Sequence, residues 1–358
     1  MSIYIHIPFC SSICTYCDFC KMYYNKKFIE EYLITLEKEI KERYQGEKVR
    51  TIFIGGGTPT SLDNSELTKL LEITKSFNTE DNIEFTIESN VESLTEEKLQ
   101  IMKNYGVNRL SIGVQSFNKD ILKILGRNHT KEDIYNKINL AKQYFDNINI
   151  DLIYAVTNDI NIVKEDLKEF LKLGITHIST YSLIIEDKTI LKINNHQNID
   201  EDIDYEMYKL IENTLEVNNY IHYEVSNYAK KDCVSKHNLV YWNNEEYYGF
   251  GLGSTSYINN IRRTNTKNLT KYLSGNYIDE EEYESVETRM ENEIMLGLRK
   301  LEGVNLDTFK EKYNISLEDK YNIEKLLQEK YLIKENNYLK INKEYIYISN
   351  EILLKILG

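Results

Sequence analysis

The residues best suited to chemistry lie near the start of the chain. In the run HIPFCSSICTYCDFCK, Cys10, Cys14, Cys17 and Cys20 account for four of the five cysteines. Thiols gathered this closely point to a metal. The spacing C-x3-C-x2-C suits one small inorganic cluster, and a four-iron cube held by three thiolates keeps one iron without a protein ligand. Such an iron is free to take a substrate or cofactor, as the open position of a catalytic zinc does. Structural zinc is the competing reading, but such sites draw their thiolates from two well-separated pairs, and the second pair is missing. Disulfides are disfavoured because no secretion signal marks the chain. Cys20 is surplus to a three-thiolate site and reads as a nearby free thiol; Cys233, remote in sequence, reads as structural.

A second group of polar residues falls at strand ends. Gly55, Gly56 and Gly57 precede Thr58 and Pro59, and consecutive glycines let backbone approach a ligand closely. Glu88, Gln115 and Asp151 sit at the ends of, or within, three later apolar runs. Singly, each reads as a solvated polar residue; together they point to one rim, where barrel active sites are built. A third run, SKHNLVYWNN, brings His237, Asn238, Tyr241 and the single tryptophan, Trp242, together. Histidine can ligate heme iron and aromatic rings can flank a porphyrin; the alternative is a packed core with a satisfied histidine.

The elements that must position these residues alternate. IYIHIP reads as a strand, KKFIEEYLITLEKEIKERY as a helix with Phe28, Tyr32, Leu36 and Ile40 on one face, and TIFIGG as a buried strand. The pattern continues through a helix with Leu67, Leu70, Leu71 and Thr74, strand EFTIES, a helix near Leu99 and Met102, and strand RLSIGVQ. A helix with Ile134, Ile138, Ala141 and Phe145 follows, then strand NINIDLIYA, a helix over 163–173 and strand HISTYSLII. Six strand-helix units predict an α/β fold with a parallel sheet curling into a barrel, short of the eight units of a complete one. Residues 1–200 are the expected barrel domain, and 201–285, helical at first and then Tyr- and Asn-rich, a substrate-side extension. Residues 286–358 are an expected helical, winged-helix-like domain with a hairpin across Asn336-Asn337; a protein-contact or lid role is its expected use.

Composition narrows the function classes. The 358 residues carry a net charge of -13, which argues against nucleic acid, since phosphate binding relies on clustered Lys and Arg. No apolar run approaches the roughly 18 residues of a membrane span, leaving at most peripheral membrane contact. The cytoplasm is the expected address, where thiols stay reduced. The only two prolines, Pro8 and Pro59, both fall inside the motifs.

Tyr4, His6, Pro8 and the three cysteines of YIHIPFCSSICTYCDF resemble the cluster loop of radical S-adenosylmethionine (SAM) proteins. More narrowly, they are similar to the oxygen-independent coproporphyrinogen oxidase group and the related heme chaperones of the HemW group. The resemblance implies a partial (β/α)6 radical SAM barrel and a [4Fe-4S] cluster on Cys10, Cys14 and Cys17. It implies that SAM chelates the open iron and that one electron from the cluster splits the sulfonium to a 5'-deoxyadenosyl radical. It further implies that Gly56, Gly57 and Thr58 of GGGTP cradle the methionine amino group, with Tyr4 close by. Glu88, Gln115, Arg127 and Asp151 are implied to contact ribose, carboxylate or adenine. Arg127 suits the carboxylate through its planar fork. His6 reads as barrel-lining rather than a ligand.

The run HNLVYW resembles the heme chaperones, which implies that His237 binds heme. Two readings follow: a carrier that takes up heme and passes it to an acceptor protein, or an oxidase that converts propionates of a porphyrinogen to vinyls. Either requires an electron donor if the cluster is to turn over. Phe19 stands where the oxidase has a further cysteine, and only nine residues precede Cys10; both points favour the carrier. Some departures bear on substrate handling. Ala155 to Asn158 replace a Gly-Leu-Pro-Gly turn of relatives, Ser-Asn-Val follows Glu88 in place of Ala-Asn-Pro, and Thr255 stands where relatives carry histidine.

Overall fold

The computed structural model describes residues 1–358, and its sheet grows outward from the strand that leads into the cysteine loop. In β1 (Ser2–Ile7) the side chains alternate. Ile3, Ile5 and Ile7 are fully buried in the main core, while Tyr4 and His6 take the opposite, bore-facing side. Parallel to β1 and to one another run β2 (Val49–Gly56), β3 (Thr79–Asn90), β4 (Arg109–Gln115), β5 (Asn147–Tyr154) and β6 (His177–Ser182). The crossovers are α1 (Lys26–Arg43), α2 (Asn64–Thr74), α3 (Glu96–Asn104), α4 (Lys131–Ala141) and α5 (Ile160–Leu173). Their apolar stripes cover the outside of the sheet, as repeated strand-helix units require.

The helix faces follow the sequence pattern with one correction. In α1 the buried stripe is Ile29, Tyr32, Leu33, Leu36 and Ile40, while Phe28 is 41% exposed. Asn25 caps the helix, so Phe28 lies in its first turn, rotated off the face that meets the sheet.

The stretch 201–285 does not form a separate layer. It supplies α6 (Glu201–Val217), the hairpin β7 (Ile221–Glu224) and β8 (Asn227–Ala229), α7 (Lys236–Trp242), β9 (Tyr247–Phe250), β10 (Thr255–Ile258), β11 (Ile261–Asn265) and β12 (Ile278–Tyr283). These extend the sheet at both edges, giving twelve strands in the order β12-β11-β10-β9-β1-β2-β3-β4-β5-β6-β8-β7. β9 lies parallel to β1, so a seventh parallel strand joins the six expected. β12 and β7 are the two edge strands and do not pair with each other, so the barrel stays open; the edge of β7 meets only residues 300–301, through a single bridge from Glu224 to Lys300. β12 is exposed throughout and carries Asp279, Glu280, Glu281 and Glu282, charges that discourage pairing with another chain.

The carboxyl-terminal segment comprises α8 (Val286–Gly297), β13 (Val304–Asn305), α9 (Leu306–Tyr313), two short helices, β14 (Leu332–Glu335), β15 (Tyr338–Ile341) and α10 (Ser349–Leu357). Its strands pair in the order β13-β15-β14, around a second apolar cluster of 17 buried residues. The β14–β15 hairpin turns on Asn336 and Asn337, with φ of 49° and 68°. A two-residue turn of this hand needs positive φ at both positions, and Asn tolerates it.

Glu39 ties α1 to the added strands. It is fully buried and accepts hydrogen bonds from the Gly251 amide at 2.9 Å, the Tyr272 hydroxyl at 2.6 Å and the Asn265 amide at 2.7 Å. Arg43 is its ion-pair partner. Removing one member of a buried ionic network strands the others. Glu39→Ala is therefore expected to destabilise the protein by about 3–5 kcal/mol, read from urea unfolding; a loss under about 1 kcal/mol, the level of an exposed pair, would remove Glu39 from this role.

Candidate functional site

The cysteine loop is clipped at both ends. Phe9 and Cys10 pair with Met22 and Tyr23. The Gly57 and Thr58 amides donate to Ile7 O at 2.8 Å and Phe9 O at 2.9 Å, fixing the loop to the end of β2. On the far side Thr15 Oγ1 donates to Ile124 O at 2.7 Å. Held in this way, Cys10, Cys14 and Cys17 line a cavity of 370 Å³ at the carboxyl ends of the strands, together with Gly56, Gly57 and Thr58. All the thiols are free. The three sulfurs do not all fall within 4.8 Å of one another; the only trio of ligating side chains that does is Glu212, Glu216 and His222. Thiolates around one tetrahedral zinc would stand about 3.8 Å apart, so the cysteine trio is not gathered as a single ion would require. Cys20 lines neither this cavity nor the one below it. It packs at Gly253, where an added Cβ would meet its Sγ at 3.2 Å.

Two glycines make the close approach possible. Gly56 has φ of 115°, and a Cβ there would lie 2.5 Å from the His6 ring; a Cβ on Gly57 would lie 2.9 Å from Cys10 Sγ and 2.8 Å from the Pro8 carbonyl carbon. His6 is held from both sides, Nδ1 against the Tyr4 hydroxyl at 2.9 Å and Nε2 against Cys20 O at 2.7 Å. Burial pulls its pKa down to about 4. It is a neutral spacer under the loop.

Gln115, Arg127, Glu88 and Asp151 line the same cavity. Glu88 Oε2 accepts from the Gly56 amide at 3.0 Å, and burial, then the neighbouring Asp151, push its carboxyl up to about 8. Asp151 accepts from Asn149 at 2.8 Å, and burial raises it too. Arg127 reaches Cys14 Sγ at 3.3 Å, Gly113 O at 2.7 Å and Asn90 Oδ1 at 2.9 Å. Asn90 Nδ2 in turn donates to Thr58 Oγ1 at 2.8 Å. Asn90 thus joins the glycine turn to the arginine, a role missed in the sequence, although its place two residues after Glu88 puts it on the same strand face. Gln115 holds φ of 72°, an uncommon conformation for a side chain of this size that clusters at ligand sites.

Below this cavity lies a second, of 210 Å³, which shares Glu88, Ser111, Asp151 and Tyr181 as walls. Tyr4 and His237 belong here, a layer beneath the cysteines. His237 rides on α7, whose first amides are capped by Glu84: Lys236 N and His237 N each donate to it at 2.9 Å. Its ring stacks on Phe53 at 5.2 Å. Nδ1 bonds Thr51 Oγ1 and Nε2 the Tyr241 hydroxyl, both at 2.8 Å, and burial lowers its pKa to about 3. Both ring nitrogens are thus occupied. Thr255 faces Thr264 at 3.2 Å on the added strands and lines neither cavity. Ala155 keeps a left-handed turn, φ 60°, without the glycine of the resembling sequences.

Comparison with known proteins gives the family and the fold. The family model of the radical SAM superfamily matches residues 4–159, and that of the HemN C-terminal domain matches residues 285–344. The chain is 39% identical over 368 residues to a heme chaperone HemW of Lactococcus lactis subsp. lactis (strain IL1403), covering 99% of this chain and 97% of that one. It is 38% identical to heme chaperone HemW of Bacillus subtilis (strain 168), covering 100% and 99%. The solved structure of coproporphyrinogen III oxidase (HemN) from Escherichia coli superposes with a TM-score of 0.87 at 20% identity, covering 99% of this chain and 89% of that one; it establishes the fold.

Two outcomes follow. Glu88 holds its proton to about pH 8 when folded and to about 4.5 when unfolded. Between those values the native state binds the extra proton, so this group's contribution to stability falls as pH rises. The stability of wild type relative to Glu88→Gln, from urea unfolding, should decline from pH 5 to 8; a difference flat with pH would mean that Glu88 titrates normally. Ala155→Gly should stabilise the protein by up to about 1 kcal/mol, since it relieves the left-handed strain on Cβ. A clear loss of stability would show that the Ala155 methyl is needed for packing.

Proposed function

The chain belongs to the HemW family of radical S-adenosylmethionine proteins, and from that premise we propose that it binds heme and passes it to acceptor proteins. The observation that carries this is the near end-to-end identity with heme chaperones, 38–39% over 99–100% of the chain. The oxidase reading draws no comparable support, because the likeness to HemN at 20% identity concerns the fold alone.

Cys10, Cys14 and Cys17 are the proposed holders of a [4Fe-4S] cluster. Gly56, Gly57 and Thr58 would receive the amino group of SAM through backbone and hydroxyl, and Arg127 its carboxylate. Glu88, Gln115 and Asp151 would contact the ribose and adenine, with Tyr4 under them. When bound, cluster and SAM supply one-electron reductive chemistry at the sulfonium. The protein's part is positional: Arg127 braces Cys14, Asn90 orients Thr58, and the two glycines keep the floor open. Glu88 remains protonated near neutral pH, which suits it to donate as well as accept a hydrogen bond.

His237 is the residue proposed to bind heme. Iron can reach Nε2 only when the Tyr241 hydroxyl swings away, so uptake would open the base of the bore around α7. Residues 1–200 would hold cluster and SAM, 201–285 would complete the bore and carry the heme ligand, and 286–358 would contact a protein partner. An acceptor protein, an electron donor and a cytoplasmic setting complete the proposal. No helix is long and apolar enough to cross a membrane.

Cys14→Ala is expected to abolish the brown absorbance of anaerobically reconstituted protein and lower its iron and sulfide content; unchanged content would take Cys14 out of the ligand set. His237→Ala should weaken heme binding and shift the Soret band. An identical titration and spectrum would place the iron ligand elsewhere.

A further inference from the structure

Arg109, at the start of β4, is 2% exposed and lines the lower cavity. Its Nε has no hydrogen-bond partner, its terminal nitrogens donate to no protein acceptor, and no carboxylate comes within the 4.0 Å of an ion pair. Arg127 makes the contrast at its terminal nitrogens: it is 6% exposed and its Nε is likewise unpartnered, but its Nη1 and Nη2 donate to Cys14, Gly113 and Asn90.

A guanidinium carries five N–H donors and stays charged at any ordinary pH. Burying it bare is costly, and native proteins nearly always provide a partner for such a group. Here the partner is not another side chain. The fork opens instead on a chamber of 210 Å³ whose walls include Ser111, Ser179 and Asn238. Glu88 and Asp151 form its roof; burial raises both their pKa values against the opposing pull of the Arg109 charge, and neither closes an ion pair with the guanidinium. The planar fork matches two oxygens of one carboxylate.

We propose that this lower chamber is a carboxylate-binding site anchored by Arg109. The carboxylate comes either from a free short-chain acid or from a propionate arm of heme. The second source rests on the heme reading above, whereas the first stands without it.

The test uses the full-length protein. Thermal unfolding and saturation-transfer NMR with sodium acetate, against sodium chloride at equal ionic strength, probe the free acid. Parallel titrations with heme and heme dimethyl ester probe the propionate. A site for free acids is expected to give acetate-specific stabilisation and NMR transfer that Arg109→Lys and Arg109→Gln weaken by about tenfold or more. A propionate site is expected to bind heme about tenfold more tightly than its ester, a preference lost in the variants. The acetate-to-chloride and heme-to-ester comparisons are made on wild type, so the inference remains testable if a variant does not fold. If acetate behaves as chloride and heme as its ester, the chamber holds solvent alone and the inference is overturned, while heme binding itself stands. If acetate binds through Arg109 but heme does not bind, the site stands and the heme reading falls.

Discussion

The structure depends on how closely the cysteine loop can lie against the end of β2. Two positions set that distance. A side chain on Gly56 would enter the His6 ring and one on Gly57 would strike Cys10 Sγ. With both absent, the amides of Gly57 and Thr58 reach the carbonyls of Ile7 and Phe9, and the loop is sewn to the strand by backbone rather than by side chains. His6, caught between Tyr4 and the Cys20 carbonyl, fills the remaining gap. With the loop held there, the three cysteines line the cavity at the mouth of the bore.

The bore itself is polar inside an apolar shell. Asn149 donates to Ser111, Asp151 and Ser179 and accepts at Oδ1 against His177 at 2.6 Å; His177 in turn meets the Tyr223 hydroxyl at 2.7 Å. In a low-dielectric interior such linked bonds reinforce one another, and an unmatched group is costly. The arrangement changes with depth. Sulfurs and the Arg127 brace lie at the mouth, two carboxyl groups with raised pKa values in the middle, and Arg109 with His237 near the base. The 54-residue apolar core between sheet and helices is the source of stability that offsets this burial of polar groups.

The chain beyond the sixth parallel strand completes the vessel. One hairpin extends the sheet past β6, and β9 to β12 extend it past β1. Between them in sequence, α7 brings His237 and Tyr241 to the lower cavity, its first turn anchored on Glu84. The lower cavity therefore draws its walls from all six parallel strands β1 to β6, between Tyr4 and Tyr181, and from α7 near residue 240, which docks on Glu84 and Thr51.

Much was legible in the residues alone. The spacing of Cys10, Cys14 and Cys17, the triple glycine before Thr58, the regular strand-helix alternation and the Asn336-Asn337 turn are local signals, set by what one short stretch of backbone can do. Glu88, Gln115 and Asp151 were marked by their position at or within strand ends and Arg127 by the family resemblance, and all four line the upper cavity. Other features had no local trace. The four-residue strand Tyr247–Phe250 is too short to show a period, and its partner lies over 240 positions away. Phe28 read as core because helical spacing fixes a stripe but not the rotation of that stripe against the sheet. Arg109 and Asn90 looked like ordinary polar residues beside apolar runs, since whether a charge is buried and what it meets depend on walls contributed by distant strands. Local backbone preference and side-chain chemistry are carried by neighbours in sequence; enclosure is carried by neighbours in space, and only the folded sheet brings those together.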